Sequence, residues 1–314
     1  MSDERTPGRV LVVGEALMDV VITAGGELAY PGGSPMNIAY GLARLDHPVE
    51  LLTRVGRDEF GARILEHLAS AGVTVHPASI VDAATSTARA TIDADGVASY
   101  DFDIVWDLPA FDPGAGSTGS GPAPAIVHTG SIGSVLEPGA SRVRDILTAC
   151  PDALVTFDPN VRPAIMGSHD GVVGVVERLA AAAHVVKLSD EDAHWLYPSL
   201  TPEETVAHLL GLGPVVVAVT LGGDGCLIAS AGDALRRPAF ATTVVDTIGA
   251  GDSFMSGMLD AVIRFGLVDR IRAGEVTAED LGRIADGGLA SAAVTVSRAG
   301  ANPPTREELA ALAS

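Results

Sequence analysis

Residues 246–254 read Asp-Thr-Ile-Gly-Ala-Gly-Asp-Ser-Phe, and no other stretch says more about the architecture of this chain. Apolar residues then recur at helical spacing: Phe254, Met255, Met258, Leu259, Val262 and Ile263. This period predicts a helix that begins at the glycines. Free backbone N–H groups and the positive end of the helix dipole meet at a helix start. The sequence therefore predicts an anion site there, with Asp252 beside it.

Two interpretations of Asp252 are open from this segment alone. An aspartate at the start of a helix is commonly a cap that accepts a hydrogen bond from the backbone. A carboxylate beside an anion site could instead take the proton of a hydroxyl group. The backbone N–H groups of Gly249, Ala250 and Gly251 would then hold a phosphoryl group during its transfer.

Composition excludes several classes of function. The chain has 314 residues, 47% of them hydrophobic, and a formal net charge of −20, which opposes binding to nucleic acids or anionic membrane surfaces. Lys187 is the only lysine, and its surroundings do not form a Walker A loop. Cys150 and Cys226 form no Cys-x-x-Cys pair, so neither a zinc site nor a disulfide framework is expected. The polar start and the lack of a long apolar run predict a soluble, cytoplasmic protein.

Strand and helix patterns alternate along most of the chain. Short apolar runs typical of buried strands lie at 10–13, 49–55, 125–128, 154–157, 184–188 and 215–220. Helical patterns lie between them at 35–45, 59–70, 140–149, 172–183 and 202–210. This alternation predicts an α/β fold with a doubly wound, mostly parallel sheet, whose ligands bind beyond the carboxyl ends of the strands.

Two segments interrupt the alternation. One is 20–23, and the other is the pair 88–92 and 99–103, which a hairpin turn at 93–96 separates. These short, half-polar strands predict a small sheet that stands off the main domain as a lid, over about 20–33 and 86–104. An edge extension without function is the alternative. Residues 113–124 are rich in Gly, Ser and Pro, which predicts a surface loop.

Polar or glycine-rich segments follow several predicted strands. A carboxylate at Asp19 suits recognition of sugar hydroxyls, and the paired Gly32 and Gly33 allow close approach to a ligand ahead of Asn37. Arg162 follows another strand, and its planar fork could bind a phosphate, a carboxylate or sugar oxygens.

Two further strands are followed by ligand-binding candidates. The acids at 190–192 could favour a helix start or hold Mg²⁺ through water. The segment 220–225 reads Thr-Leu-Gly-Gly-Asp-Gly, so a nucleotide could approach its backbone. Such a segment is also typical of a tight turn.

Together and in this order, these segments resemble the ribokinase-like (PfkB-type) carbohydrate kinase family, from about Val10 to Pro304. The resemblance implies one kinase domain over residues 1–314, with a ribokinase-like sheet, flanking helices and a small β-sheet lid. It implies that Asp252 is the general base that deprotonates a primary hydroxyl of a monosaccharide for attack on the γ-phosphate of ATP. Gly249, Ala250 and Gly251 are the implied anion hole.

The resemblance also implies the other site residues. Sugar contacts are implied for Asp19, Gly32, Gly33, Asn37 and Arg162. Nucleotide contacts are implied for Ser189, Thr220, Gly222 and Gly225. Asp192 is implied to hold Mg²⁺ through water, although Ser189 and Asp192 differ from the family's Asn-x-x-Glu element. Asp246, Ile248 and Gly300 match positions around a monovalent cation such as K⁺, but Pro304 stands in place of a hydroxyl ligand.

The segments around Asp19, Asn37 and Arg162 look most like those of fructokinases, so fructose is the favoured substrate. A 2-keto-3-deoxygluconate kinase and a ribokinase are the alternatives within the family, and an adenosine kinase fits the aromatic-poor lid less well. From other classes, a non-catalytic sensor of sugar or nucleotide stays open. An oxidoreductase is disfavoured, because no Gly-x-Gly-x-x-Gly follows the first strand. Pairing of two lids in a homodimer is a further expectation from the resemblance.

Overall fold

The computed structural model describes residues 8–23, 25–92, 98–109, 111 and 123–312. The hairpin turn predicted at 93–96 lies outside the described residues, and so do residues 113–122 of the predicted surface loop.

The described residues contain the following strands: β1 (Val10–Val13), β2 (Leu17–Thr23), β3 (Gly26–Gly32), β4 (Val49–Leu52), β5 (Val55–Gly56), β6 (Thr74–Val75), β7 (Ile80–Val81), β8 (Thr87–Ile92), β9 (Ala98–Asp103), β10 (Ile126–Gly130), β11 (Leu154–Asp158), β12 (Val185–Ser189), β13 (Val216–Thr220), β14 (Cys226–Ala229) and β15 (Ala234–Arg237). The helices are α1 (Ser34–Arg44), α2 (Glu59–Ala71), α3 (Gly139–Ala149), α4 (Pro163–Met166), α5 (His169–Ala182), α6 (Asp190–Leu196), α7 (Pro202–Leu212), α8 (Ala250–Arg264), α9 (Val268–Arg272), α10 (Ala278–Val296) and α11 (Arg306–Leu312).

The main sheet has the strand order β15-β14-β13-β12-β11-β10-β1-β4-β6. All neighbours from β13 to β6 are parallel, and β14 and β15 add an antiparallel edge. The predicted doubly wound, mostly parallel α/β sheet is therefore confirmed. Its register pairs Gly130 with Asp158 and Ser189 with Thr220, so the strands end at a common edge.

Alternating strand residues pack against helices on both faces of the sheet. Val10 and Val12 join one core cluster, which contains apolar residues of α1, α2, α8 and α10. Leu11 and Val13 join the other, with residues of α3, α5, α6 and α7. Full burial of one such aliphatic side chain contributes about 1.5–3 kcal/mol, so two-sided burial explains the continuous apolar runs of these strands.

A second sheet, with the order β3-β2-β8-β9, stands apart from the main one. The sequence patterns predicted β2, β8 and β9 but not β3 as a strand. That segment reads Gly-Glu-Leu-Ala-Tyr-Pro-Gly, which lacks a regular alternation and contains Pro31. The prediction of a single strand at 49–55 was wrong, because β4 ends at Leu52 and β5 then pairs with β7.

Helix α10 was not predicted from the sequence, although it packs against α8 and holds it in place. A Cβ atom on Gly257 would lie 2.4 Å from the carbonyl oxygen of Gly287. A Cβ atom on Gly287 would likewise lie 2.8 Å from the carbonyl oxygen of Gly257. The backbones of α8 and α10 therefore touch where side chains are absent, and this contact fixes the helix that carries Asp252.

Candidate active site

The glycine-rich turn forms the start of α8, as its sequence pattern predicts. Gly249 is the N-cap residue and has a φ of 75°, a left-handed conformation that favours glycine. A Cβ atom there would lie 2.7 Å from the Cβ of Ala301. Among the described residues, the backbone N–H groups of Gly251 and Asp252 have no hydrogen-bond acceptor. The N–H of Ala250, in contrast, donates to a backbone carbonyl oxygen. The turn therefore offers free donors to an anion.

The carboxylate of Asp252 is held by the first turn of another helix, α1. Ser34 Oγ donates to Oδ1 over 2.6 Å, and Asn37 Nδ2 donates to Oδ2 over 2.8 Å. Burial raises the pKa of Asp252, against the opposing effects of Ser34, Asn37 and the charge of Lys187. Both carboxylate oxygens thus face α1 rather than the backbone of α8, which argues against the capping interpretation.

Residue Lys187 lies beside this turn, in the buried strand β12. Its Nζ atom donates to Asp158 Oδ2 over 3.0 Å, and both side chains are almost fully buried. A Cβ atom on Gly251 would lie 2.9 Å from the same Nζ atom. From its sequence context this lysine was interpreted only as evidence against a Walker A loop. A lysine inside an apolar strand was itself a signal, because a buried ammonium group needs a partner.

The residues predicted to contact phosphates and Mg²⁺ cap helix α6. Ser189 Oγ accepts the N–H of Asp192 at 3.0 Å, and Asp192 Oδ2 accepts the N–H of Ser189 at 3.0 Å. Asp192 Oδ1 also accepts the N–H of Val161 at 2.8 Å. This capping box, with Asp in place of Glu at the third helical position, ties the ends of β11 and β12 together.

A cavity of about 560 Å³ brings most of these groups to one space. It is lined by Arg162, Lys187, Ser189, Glu191, Asp192, Trp195 and residues 249–252. The predicted anion hole and base therefore share a cavity with cationic and acidic side chains from β12, from α6 and from the loop that follows β11.

A second cavity of about 550 Å³ adjoins the first, because Glu191, Thr247, Ala250 and Gly251 line both. Its walls combine the glycine-rich segment after β13 with apolar residues of α10 and the loop before α8: Thr220, Gly222, Gly225, Phe240, Val244, Leu289, Ala293 and Val296. Of these residues, only those in the glycine-rich segment after β13 were predicted from the sequence.

The predicted sugar residues lie where the lid sheet meets α1. A Cβ atom on Gly32 would lie 1.9 Å from Asp19 Oδ2, so this carboxylate rests on bare backbone. Gly33 has a φ of 110°, and a Cβ atom on it would lie 2.6 Å from the carbonyl oxygen of Glu15. Arg162 is exposed, and its guanidinium donates to the carbonyl oxygen of Val161 over 2.9 Å.

Glu15 is an acidic residue of this region that the sequence reasoning did not single out. It is buried, and its Oε2 accepts the N–H of Gly133 at 2.9 Å. Burial raises its pKa to about 7, although hydrogen bonds from Ser131 and Gly133 oppose the shift. Its place directly after the first apolar strand was the available signal.

The three positions predicted around a monovalent cation come together. Asp246 Oδ1 accepts the N–H of Ile248 at 3.0 Å, and Oδ2 accepts the N–H of Gly300 at 2.8 Å. These hydrogen bonds lower the pKa of Asp246. Within the described ranges, no group of three or more His, Cys, Asp or Glu residues is arranged to hold a metal ion.

A doubly wound sheet with a small second sheet, and with a glycine-rich anion turn beside a carboxylate at its strand ends, is the architecture of a sugar phosphotransferase. The family model described as pfkB family carbohydrate kinase matches residues 8–308. The chain belongs to this family. Membership excludes the oxidoreductase alternative.

Several relatives are similar over most of their length. A fructokinase of Klebsiella pneumoniae is 31% identical over 85% of this chain and 88% of that protein. An ATP-dependent 6-phosphofructokinase of Thermoanaerobacterium thermosaccharolyticum is 30% identical over 81% of each. The structure of a fructokinase double mutant from Vibrio cholerae, with fructose, ADP and potassium bound, is 25% identical and covers 97% of this chain and 98% of that chain, with a TM-score of 0.78.

A ribokinase of Thermotoga maritima supports the fold alone, at 20% identity over 98% of this chain and 99% of that chain, with a TM-score of 0.75. None of the helices in the described ranges is long and apolar enough to cross a membrane.

Proposed function

We propose that this carbohydrate kinase transfers the γ-phosphate of ATP to a primary hydroxyl of a monosaccharide, with fructose as the favoured substrate. The position of Asp252 carries the proposal. Its carboxylate is oriented by Ser34 and Asn37, and the preceding residue of α8, Gly251, has a free N–H. A general base must reach the hydroxyl, and an anion hole must reach the phosphoryl group that the same hydroxyl attacks.

The chemical step follows from this juxtaposition. Asp252 accepts the hydroxyl proton while the hydroxyl oxygen forms a bond to the γ-phosphorus. The bond from that phosphorus to the β–γ bridging oxygen breaks, and ADP leaves. The N–H groups of Gly251 and Asp252, at the positive end of α8, stabilise the charge on the transferring group.

The two cavities suggest how the nucleotide binds. Apolar residues of the second cavity, such as Phe240 and Leu289, suit the base, and Thr220, Gly222 and Gly225 line its other wall. Glu191 lines both cavities, so it lies near the phosphates together with Asp192. Mg²⁺ keeps several of its waters and binds substrate phosphates, which agrees with carboxylates that hold it through water. When bound, Mg²⁺ neutralises charge on the β- and γ-phosphates.

Fructose is favoured by two relatives, the fructokinase of Klebsiella pneumoniae and the fructose-bound fructokinase of Vibrio cholerae. Asp19, Gly32, Gly33 and Asn37 would contact the sugar at the base of the lid. A sugar acid such as 2-keto-3-deoxygluconate is the second candidate. The observation that favours it is the exposed cation of Arg162 in the first cavity. Ribose, the other alternative, is uncharged like fructose, so Arg162 does not favour it over fructose.

Four further features stay predictions. Closure of the lid over the sugar would exclude water from the transfer step. Pairing of lids in a homodimer would cover Leu28, Tyr30 and Tyr100, which are exposed on the lid strands. A cation at Asp246, Ile248 and Gly300 would be K⁺, and the use of ATP favours a cytoplasmic location.

The test is a coupled assay of ADP release with Mg-ATP, against fructose, 2-keto-3-deoxygluconate, fructose 6-phosphate and ribose, with and without K⁺. Asp252→Asn keeps the size and the acceptor for Ser34 but cannot take a proton. We expect it to fold like the wild type and to lose about 10²–10⁴ in kcat. Near wild-type turnover would refute the base assignment. Tight ATP binding without transfer to any sugar would favour the sensor alternative.

A further inference from the structure

The buried cation of β12 has a position that ion pairing alone does not explain. Lys187 is only 3% exposed, and it is the sole lysine of a chain with twice as many acids as basic residues, 40 against 20. Burial of a charged pair is costly and often contributes little net stability. A pair of apolar residues would fill a buried strand at least as well, so the presence of Lys187 there calls for a role other than stability.

The ammonium group lies at the edge of the anion turn. Its Nζ atom donates to Asp158 Oδ2 over 3.0 Å and lies 2.9 Å from the place that a Cβ of Gly251 would occupy. A lysine ammonium carries three N–H donors. Among the described residues Asp158 is the one side-chain acceptor within hydrogen-bond distance, so donors are left that face the cavity beside Gly251.

The surrounding charges keep this group protonated. Burial alone lowers the pKa of Lys187, but the carboxylates of Asp158, Asp192 and Asp252 outweigh it and raise the pKa above its ordinary value. The side chain is therefore a fixed positive charge rather than a proton donor. Its place between Asp158 and the anion turn is where the negative charge of a transferring phosphoryl group would need compensation.

We propose that Lys187 is a catalytic residue that contacts a γ-phosphate oxygen of ATP and neutralises its charge as the phosphoryl group moves to the sugar. The proposal rests on the proposed kinase function. Lys187 exchanges no proton and forms no covalent bond: the oxygen–phosphorus bond forms to the sugar, the bridging bond breaks, and the proton goes to Asp252. Asp158 is its positioning residue, since it holds the ammonium group against the turn.

A purely structural ion pair is the competing explanation, and a set of variants separates the two. Lys187→Met leaves the buried carboxylate of Asp158 without its cationic partner, and within the described ranges only the N–H of Asn160 still donates to it, so the variant is expected to have a lower melting temperature. The double variant Lys187→Met/Asp158→Asn removes both charges and should regain most of the lost melting temperature. Arg57→Met/Asp82→Asn removes an exposed ion pair elsewhere and is the matched control.

The experiment measures kcat for each variant, with the melting temperature as a check on folding. We expect the double variant to be folded but to lose about 10²–10³ in kcat, as when one oxyanion donor is removed. The KM for the sugar should change by less than about threefold, because the variant keeps the contacts that bind the sugar equally in the ground state and in the transition state. Lys187→Arg should regain part of the loss. Recovery of kcat to near the wild-type value in the folded double variant would overturn the proposal.

A binding experiment tests the contact without turnover, so it stays informative if no tested sugar is a substrate. Calorimetry compares a non-hydrolysable ATP analogue with ADP for the wild type and the double variant. We expect the analogue to bind about tenfold or more weakly in the variant, while the Kd of ADP changes by less than about threefold. Equal weakening of both nucleotides, or of neither, would overturn the proposal. If the wild type transferred no phosphate to any tested sugar but the variant still bound the ATP analogue selectively more weakly than ADP, the result would count against the proposed function alone.

Discussion

Substitution of Asn37 by alanine tests how the candidate base is kept ready for proton transfer. Asn37 Nδ2 donates to Asp252 Oδ2 over 2.8 Å, and this hydrogen bond favours the ionised carboxylate against the effect of burial. A hydrogen bond to a charged group contributes about 1.5–3 kcal/mol. Since 1.36 kcal/mol corresponds to one pH unit, its loss should move the acid limb of the kcat profile upward by about one to two units.

The assay is the pH dependence of kcat at saturating sugar and ATP, since kcat reports the enzyme–substrate complex and is insensitive to a weakened KM. Protonated Asp252 cannot accept the hydroxyl proton. The kcat of the variant should therefore be about 10–100 times lower than that of the wild type at pH values below the acid limb, and should approach the wild-type kcat at pH values above it. Asn302→Ala is the control, because Asn302 accepts from Arg44 rather than contacting Asp252. A uniform loss at every pH, with an unmoved limb, would refute the reasoning.

Two further predictions concern neighbouring groups. In Gly32→Ala the new Cβ would lie 1.9 Å from Asp19 Oδ2, so it must displace that carboxylate. Loss of one charged hydrogen bond to the sugar should raise the KM for the sugar by about 10–100-fold and leave the KM for ATP unchanged. Steady-state kinetics measure both constants, and an unaltered KM for the sugar would contradict a role for Asp19. Glu15 has a folded pKa of about 7 against an ordinary 4.5, so its stabilising effect is full below about pH 4.5 and is lost as the pH rises through 7. In the wild type, the free energy of unfolding should therefore fall by about 3 kcal/mol between pH 5 and pH 8, as measured by urea denaturation. Glu15→Gln should lack this fall, because glutamine does not ionise. Equal pH dependence in the two proteins would show that the pKa shift of Glu15 is absent.

The fold was largely predictable because its signals are local. Apolar runs and helical periods gave the parallel strands of the sheet and the helices between them. Helix α10 was missed because its contact with α8 is made by small residues such as Gly257 and Gly287, which leave no strong apolar stripe. The edge strands β14 and β15 are short and follow a turn, so their pattern is weak.

Residues of the candidate site, whose roles stay predictions, could be named from the sequence, but most of their contacts could not. The turn at Gly249 and the acid at Asp252 are read from one continuous segment. The hydrogen bonds of Asp252 with Ser34 and Asn37 instead join residues 218 and 215 positions apart, and no local period reports such a contact. The contact of Lys187 with the turn was missed for the same reason, because Lys187 and Gly251 lie far apart in the sequence and meet only in the folded chain.

The short connection between the lid and the base has a mechanical consequence. Strand β3 of the lid ends at Gly32, and α1, which holds Asp252, begins at Ser34, so a single glycine joins the two elements. Closure of the lid, as predicted, would therefore shift the start of α1, which carries the two side chains that orient the Asp252 carboxylate. A sugar that did not close the lid would then leave Ser34 and Asn37, and with them the candidate base, in their present positions.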